Sequence, residues 1–534
     1  MENKISTDVL IVGSGPVGAT FARMLFEKVK GIKIMMIDLG PQLTAQAGKH
    51  IKNIENLAER SNAQVLSQGP SKYPYKIPTV AERFAAAKAG HIKAELLSRP
   101  GTHLITTDDQ ELEQSGMPAA ALSSNVGGMG SHWTCACPRP GNTERIDFIP
   151  DQDWNEIFEI AEQLLQVNQY AFDESIESNT IKNILASVFN NVLPETRKVQ
   201  PMPLACRVEK NGLLYWTGPD VILGSVTADT NFTLRSETLC RKLLVDGTKI
   251  IGAYIEHLPT GRKETVFSKV TIVAADALRT PQLLFASGIF SDALGHYLND
   301  QPQILCAVEL KRKNTFPETQ ELRIESPGLS KKQNNGAAGV FWVPFHAPLH
   351  PFHGQVMQMD ASPIPLDTIQ KNRTNPIVAL GWFCRKELRY RDCVTFSNEE
   401  TDYLGMPKMT IHYELTVKDK EEIAMAMIEQ AKAASAFGTI VNGDEQYLIP
   451  AGSSLHYQGS VRMGHYNDGY SVCNSYSRVW QYENLFVGGN GVIPTATACN
   501  PTLTSVALAI RSSKEIAEQF FSTHHQKQKY EHQI

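Results

Sequence analysis

Asp8-Val9-Leu10-Ile11-Val12-Gly13-Ser14-Gly15-Pro16-Val17-Gly18 is the stretch that decides the fold. Its first five residues form a continuous apolar block rich in branched side chains, the pattern of a parallel strand buried on both faces. G-x-G-x-x-G follows at once, Ala19 to Glu27 reads as a helix and Ile34 to Ile37 as a second strand, which Asp38 closes 20 residues after Gly18. Each part has a physical reason. Gly13 permits the tight turn, Gly15 lets backbone approach a pyrophosphate, Gly18 lets the helix pack closely, and Asp38 accepts a ribose hydroxyl. Strand, loop, helix, strand and acid in this order predict dinucleotide binding, where a glycine turn alone would not. FAD and NAD both satisfy the fingerprint. A further strand of this kind is expected at Val270 to Ala275, followed by a helix through Thr280 to Leu284 that Gly288 closes.

The 534 residues are 42% hydrophobic and 20% charged, with 37 Gly and 29 Pro dispersed among them. That balance excludes a disordered, collagen-like or disulfide-scaffold chain. At about 150 residues per domain the length allows three or four small domains or two large interleaved ones. Lys and Arg number 51 against 56 Asp and Glu, a formal charge of −5 with no long run of one sign, which argues against nucleic-acid partners. The nine cysteines are irregularly spaced, and Cys135-Ala136-Cys137 matches neither zinc nor thioredoxin spacing. No metal site is expected, and the thiols read as reduced core residues of a cytoplasmic protein. No stretch approaches the ~20 apolar residues of a membrane span, so no membrane partner is expected. Met1 to Ile5 is too short and polar for a signal peptide. The triplets Asn231-Phe232-Thr233 and Asn372-Arg373-Thr374 read as chance glycosylation matches.

Between Gln42 and Ala119 the chain is irregular apart from a helical stretch at Val80 to Leu97, a long insertion of the kind that serves as a lid or subunit contact. Gln152 to Asn168 has helical periodicity, and Phe232 to Glu256 alternates around the hairpin signal Asp246-Gly247. Ile304 to Leu310, Val340 to Val343, Gly354 to Met359 and Pro376 to Phe383 predict an antiparallel-sheet domain, followed by a helix from Lys418 to Phe437. His524 to Ile534 is a polar tail.

Two segments are unusual for pure packing. In Ser123-Ser124-Asn125-Val126-Gly127-Gly128-Met129-Gly130-Ser131-His132-Trp133-Thr134, the glycines free successive N–H groups to meet an acceptor-rich ligand. The second is bipartite. Leu455-His456-Tyr457 precedes the strand Asn484 to Gly489, and Asn490-Gly491 and Asn500-Pro501-Thr502-Leu503-Thr504 open a final helix. Asn500 is expected as its N-cap and Pro501 at N1. That helix would direct its positive end at an anion in front of it.

Taken together, the fingerprint, the run Val126 to Cys135, the His456 segment and Asn490 to Thr504 resemble the glucose-methanol-choline (GMC) oxidoreductases, in particular their branch of pyranose 2-oxidases and bacterial glycoside 3-oxidases. The resemblance spans nearly the whole chain and implies FAD rather than NAD. The implied fold is α/β (α+β overall), a discontinuous Rossmann-like FAD-binding domain of residues 1–150, 200–300 and 445–534 with an inserted antiparallel-sheet substrate domain of 151–199 and 301–444. It implies that His456 accepts the alcohol proton and that Asn500 holds the substrate oxygen, which suits an imidazole whose pKa is near working pH. Ser124, Gly127, Gly128, Met129, Trp133, Thr134, Cys240, Ala275, Asn490, Gly491 and Thr502 join Gly13, Gly15, Gly18 and Asp38 as implied cofactor contacts. His132 matches the position that fungal members join covalently to the flavin.

Asp360, Ser362 and Tyr457 are the implied substrate contacts. Here the chain departs from the family, with Ser362 lacking the aromatic of the substrate loop, Gly381 where an Arg would fall, and Asp276 where glycine is usual. The first two departures imply an open pocket suited to a glycoside, oxidised at C3 rather than C2. The implied partners are a sugar or glycoside and O2 or a quinone-type acceptor, within a homo-oligomer. A sterol or choline-like alcohol, or a flavin module without turnover, are the competing readings.

Overall fold

The apolar run Val9 to Val12 lies buried at the centre of a sheet, covered on both faces. The structure, a computed structural model, describes residues 4–67, 101–106, 110–111, 115–172, 176–210, 213–311, 340–358, 377–440 and 446–522. Strand Lys4–Val12 pairs in parallel with Ile34–Ile37 on one side and Arg262–Val273 on the other. Phe232–Arg235 adds in parallel beyond Ile34–Ile37, and Leu485–Val487 beyond the end of Arg262–Val273. Five parallel strands are thus recruited from remote stretches of chain. The predicted hairpin forms from Thr238–Asp246 and Lys249–His257 and pairs antiparallel with the first half of Arg262–Val273. Helices Pro16–Lys28 and Thr502–Ile516 pack against each other in this layer. Helix Asp151–Leu165, expected with the second domain, buries Trp154, Ile157, Phe158 and Leu165 in this first core. Its periodicity announced an apolar face but not the surface that face would meet.

The second sheet runs Gly438–Ile440, Gln303–Leu310, Ile377–Cys384, Phe352–Gln358, Val340–Val343 and Gln200–Pro201, antiparallel throughout. Alternate residues face opposite ways. Ile304, Val356, Leu380 and Trp382 join the core beneath helices Ile176–Phe189 and Val417–Phe437, while Gln303, Gln355, Met357 and Phe383 face a cavity shared with the first layer. Helix Val417–Phe437 starts at a capping box, with Thr416 Oγ1 accepting from the Asp419 N–H and the Asp419 carboxylate accepting from the Thr416 N–H. Asp419 also faces Lys386, which is fully buried and ion-paired with Asp392. Among the described residues no helix is long and apolar enough to cross a membrane. The expected helix at 80–97, the loop 360–363 and the tail 524–534 lie outside the described residues.

Removing one partner of a buried ion cluster strands the others without solvent. Lys386→Ala is therefore expected to lower unfolding stability by about 3 kcal/mol, read as a fall in the urea midpoint.

Candidate active site

Gly13 has φ +102°, and a Cβ there would collide with the Ala274 carbonyl, as one at Gly18 would collide with the Gly13 carbonyl. Only glycine satisfies both conformation and space at position 13. Gly15 differs. The nearest atom to a Cβ there is 3.9 Å away, it lines the cavity, and the helix beginning at Pro16 has no side-chain cap. Uncapped N–H groups behind an open glycine make a phosphate cradle. The Asp38 carboxylate accepts from Ser14 N–H at 3.0 Å, Ser14 Oγ–H at 2.5 Å and Gly40 N–H at 3.0 Å. Burial pushes its carboxyl up and these bonds pull it back. Ser14 Oγ also accepts from Gly127 N–H at 2.8 Å, tying the fingerprint to the second glycine loop.

From this cradle a cavity of about 360 Å³ extends to His456 and Asn500. Ser124, Gly128, Met129, His132, Trp133 and Thr134 line it from the glycine loop. Cys240, Ala275, Asn490, Thr502 and Tyr457 line it elsewhere. Gly18, Gly127 and Gly491 are not on the wall. Gly18 and Gly491 permit close packing, and Gly127 bonds to Ser14. Asp360 and Ser362 lie outside the described residues. Tyr457 reaches the wall, but its hydroxyl donates to Gly452 O at 2.8 Å and accepts from Ala121 N–H at 2.9 Å, so it ties backbone segments together rather than offering a free hydroxyl to substrate.

Asn500 is not the helix N-cap. Pro501 takes that position and no side chain caps the helix. The Asn500 carboxamide instead points at His456, with Nδ2 3.3 Å from His456 Nε2, and its Oδ1 accepts from Gln355 Nε2 at 2.6 Å. His456 Nδ1 lies 2.7 Å from Gln301 Oε1. The Gln301 amide is oriented by donation from Nε2 to Cys499 O at 2.8 Å and Thr497 Oγ1 at 3.0 Å. Its oxygen must therefore face the imidazole, which places the proton on Nδ1 and leaves Nε2 as an acceptor toward the cavity. Phe383 stacks on the ring with centroids 5.5 Å apart. Buried Glu144 holds the approach to Asn500, its Oε1 accepting from Ala498 N–H at 2.6 Å and Cys499 N–H at 3.2 Å and its Oε2 from Gly141 N–H at 2.6 Å.

The Asp276 departure has a structural reason. The residue sits at φ +71° where the strand turns into helix Asp276–Ala286, a left-handed conformation that glycine adopts freely and Asp tolerates. In return, Asp276 Oδ1 accepts from Leu278 N–H at 2.6 Å and Arg279 N–H at 3.0 Å. Desolvation raises its carboxyl to about 6, and both Asp276 and Arg279 line the cavity.

Two sequence profiles, each described as GMC oxidoreductase, match residues 219–303 and 391–509. A C-glycoside 3-oxidase of Arthrobacter globiformis is 43% identical over 97% of this chain and 96% of its own. The chain belongs to the GMC oxidoreductase family. A C-glycoside 3-oxidase of Microbacterium trichothecenolyticum is 44% identical over 96% of both chains, and a pyranose 2-oxidase of Tricholoma matsutake 30% identical over 96% of this chain and 93% of its own. The crystal structure of pyridoxine 4-oxidase from Mesorbium loti shares the fold, with a TM-score of 0.61 at 16% identity over 96% of this chain and 99% of that one. GMC oxidoreductases are FAD flavoproteins, and the open Gly15 face, the uncapped helix start and the Asp38 carboxylate fit that cofactor.

Sequence reasoning missed Ser14, Gln301, Gln355, Glu144 and Arg279. Ser14 stood inside the fingerprint, but the others carry no local pattern.

Two outcomes test these supports. Glu144→Gln turns one of its two oxygens into a donor facing N–H groups, and is expected to slow substrate-driven flavin reduction about tenfold with FAD content unchanged. The Asp276 carboxyl is raised in the fold, so the stability it contributes is present below its ordinary value of 3.8 and lost as pH rises through about 6. Asp276→Asn keeps the cap without the charge. It is expected to raise the thermal midpoint at pH 8 and leave it unchanged at pH 3.

Proposed function

We propose that this protein oxidises a secondary ring hydroxyl of a glycoside, at C3, to the ketone. The observation that carries the reading is an acceptor, His456 Nε2, beside a donor, Asn500 Nδ2, at the end of the cavity that begins at the phosphate cradle. Relatives named C-glycoside 3-oxidase at 43% and 44% identity support the substrate class and the position.

FAD, when bound in the cradle, supplies the hydride acceptor. The protein's own groups make the carbinol a hydride donor. His456 Nε2 takes the hydroxyl proton as the C–H bond weakens, and Gln301 Oε1 supports the imidazolium through Nδ1–H. Asn500 Nδ2–H steadies the oxygen while it carries negative charge. In the second sheet Gly381 pairs with Leu305 on one neighbour and Gln355 on the other. A Cβ at Gly381 would come within 3.3 Å of Gln303 Nε2. The missing side chain leaves room around Gln303, whose Oε1 is buried without a protein partner and is placed to receive a sugar hydroxyl. The balanced reaction is glycoside plus O2 to 3-keto glycoside plus H2O2.

We also propose that FAD is held without a covalent bond. His132 Nε2 lies 3.2 Å from Asn125 Oδ1, and the ring packs so tightly at Nδ1 that a Cβ on Gly101 would overlap it. Burial lowers this histidine to about 3, so the ring is neutral. Acid precipitation should leave all the yellow colour in the supernatant; colour in the pellet would overturn this assignment.

Anaerobic bleaching of the flavin by a C- or O-glucoside, faster than by free glucose and with a 3-keto product by NMR, is the expected result. A 2-keto product from glucose would replace the assignment by pyranose 2-oxidation. Reoxidation by a quinone but not by O2 would replace the acceptor. His456→Ala is expected to slow bleaching about 10³-fold.

A further inference from the structure

The turn 402–406 joins strands Cys393–Thr401 and Pro407–His412 and carries no motif marked in the sequence. It closes on itself, with Asp402 N–H donating to Met406 O and Gly405 N–H to Asp402 O, each at 2.8 Å. The Asp402 carboxylate serves two ends. Oδ1 accepts from Leu404 N–H at 2.9 Å and Met406 N–H at 3.0 Å, which folds the turn. Oδ2 accepts from Arg279 Nη1 at 2.7 Å and Gln282 Nε2 at 3.1 Å, which docks the turn on helix Asp276–Ala286. Arg279 Nη2 donates to the Tyr403 hydroxyl at 3.0 Å, and that hydroxyl lies 3.2 Å from His103 Nε2 on strand His103–Leu104. From strand Thr238–Asp246, Arg241 donates to Leu404 O. A helix and two strands thus fasten one short turn.

Beneath it lies the part of the cavity that follows from Asp38. The Asp38 carbonyl accepts Thr238 N–H at 2.7 Å, and Thr238, Leu239 and Cys240 continue the wall to Arg241. Helix Asp276–Ala286 packs on this strand, and Arg279, Gln282, Leu283 and Met406 line the same cavity. With phosphates at Gly15, a ribose hydroxyl at Asp38 and the hydride acceptor toward His456, the adenosine half of FAD belongs on this side. Met406 is buried on the cavity wall and Tyr403 is 48% exposed to solvent, so the turn has one face toward each. We propose that turn 402–406 is a latch over the adenosine end of the FAD site, bolted by Asp402 and Arg279, and that the cofactor enters and leaves past it.

Arg279 serves both sides of this closure. Its Nη atoms hold the turn, while Nε is buried with no partner among the described residues on a side chain that lines the cavity, which leaves one N–H donor for the nucleotide. The ion pair is mostly withdrawn from water, with side chains 12% and 15% exposed, and its charge-assisted hydrogen bond is stronger than a neutral one. Every fastening named is nonetheless polar, so water can replace each one when the turn lifts. The proposal concerns the cofactor alone and stands whichever alcohol the enzyme oxidises.

Holoenzyme is diluted and FAD release followed by the rise in flavin fluorescence. Asp402→Asn keeps an oxygen for Leu404 and Met406 N–H but turns an amide donor toward Arg279 and Gln282, so the turn stays folded and loses its dock. Release is expected to be about tenfold faster. Arg279→Met is expected to release FAD at least as fast, and the double variant no faster than Arg279→Met, because both break one contact. Rates that multiply in the double variant would overturn the bolt. Stripped of flavin, the variants are titrated with FAD and with FMN, which ends before the adenosine. Weaker FAD binding with unchanged FMN binding is expected; equal losses of both would place the fault in the fold and sink the latch. Backbone hydrogen exchange in the holoenzyme needs no release. The peptide containing residues 402–407 is expected to exchange about tenfold faster in Asp402→Asn than in the wild type, with the peptide of strand Lys4–Val12 unchanged. Equal exchange at 402–407 would overturn the proposal, and this comparison decides alone if acid leaves the flavin attached to the chain. A wild-type flavin that no sugar reduces would sink the alcohol-oxidation reading and leave the latch to be judged by release and exchange.

Discussion

A side chain at position 13 would need the space that the Ala274 carbonyl occupies, and this exclusion organises the nucleotide half of the molecule. It lets the first strand's turn nest against the end of Arg262–Val273, far along the chain. With those two strand ends together, Leu485–Val487 can complete the parallel layer, and the segments that follow it arrive at the mouth of the cradle. The same junction forces the chain left-handed at Asp276, which compensates by capping the next helix with its own carboxylate. A rule about one missing methyl group thus reaches across most of the sequence.

At the other end of the cavity, order comes from polar groups whose directions are fixed one by one. Gln301 is turned by the Cys499 carbonyl, and in turn determines the tautomer of His456. Glu144 gathers the N–H groups of Ala498 and Cys499, so Cys499, which turns Gln301 through its carbonyl and immediately precedes Asn500, sits in one braced loop. In a buried site each unsatisfied donor or acceptor is costly, which is why the bracing extends beyond His456 and Asn500.

The sequence made the first layer readable because its signals are local. Apolar runs, glycine spacing and the Asp246-Gly247 turn all act within a few residues. His456 and Asn500 were legible through the family resemblance, and the structure brings them together. The N-cap expected of Asn500 failed by one residue: a cap signal marks where a helix begins, but tertiary hydrogen bonds decide which neighbour's side chain is available. Gln301, Gln355 and Glu144 resemble surface residues in sequence. Their meaning arises only from strand pairing and from contacts across hundreds of residues, which no periodicity records. Tyr457 shows the converse, a residue on the cavity wall whose hydroxyl serves the backbone.

The second sheet presents Gln303, Gln355, Met357 and Phe383 to the cavity from three neighbouring strands, while the residues between them build its own core. His456 and Asn500 come from loops near the C-terminal end of the chain, outside that sheet. The sheet face that lines the cavity and the His456–Asn500 pair therefore come from separate stretches of the chain. Gln355 and Phe383 on that face touch Asn500 and His456, whereas Gln303 and Met357 line the cavity. At position 381, between these strands, an added Cβ would press on the Gln303 amide 3.3 Å away, so the absence of a side chain there sets how much room this face leaves in the cavity.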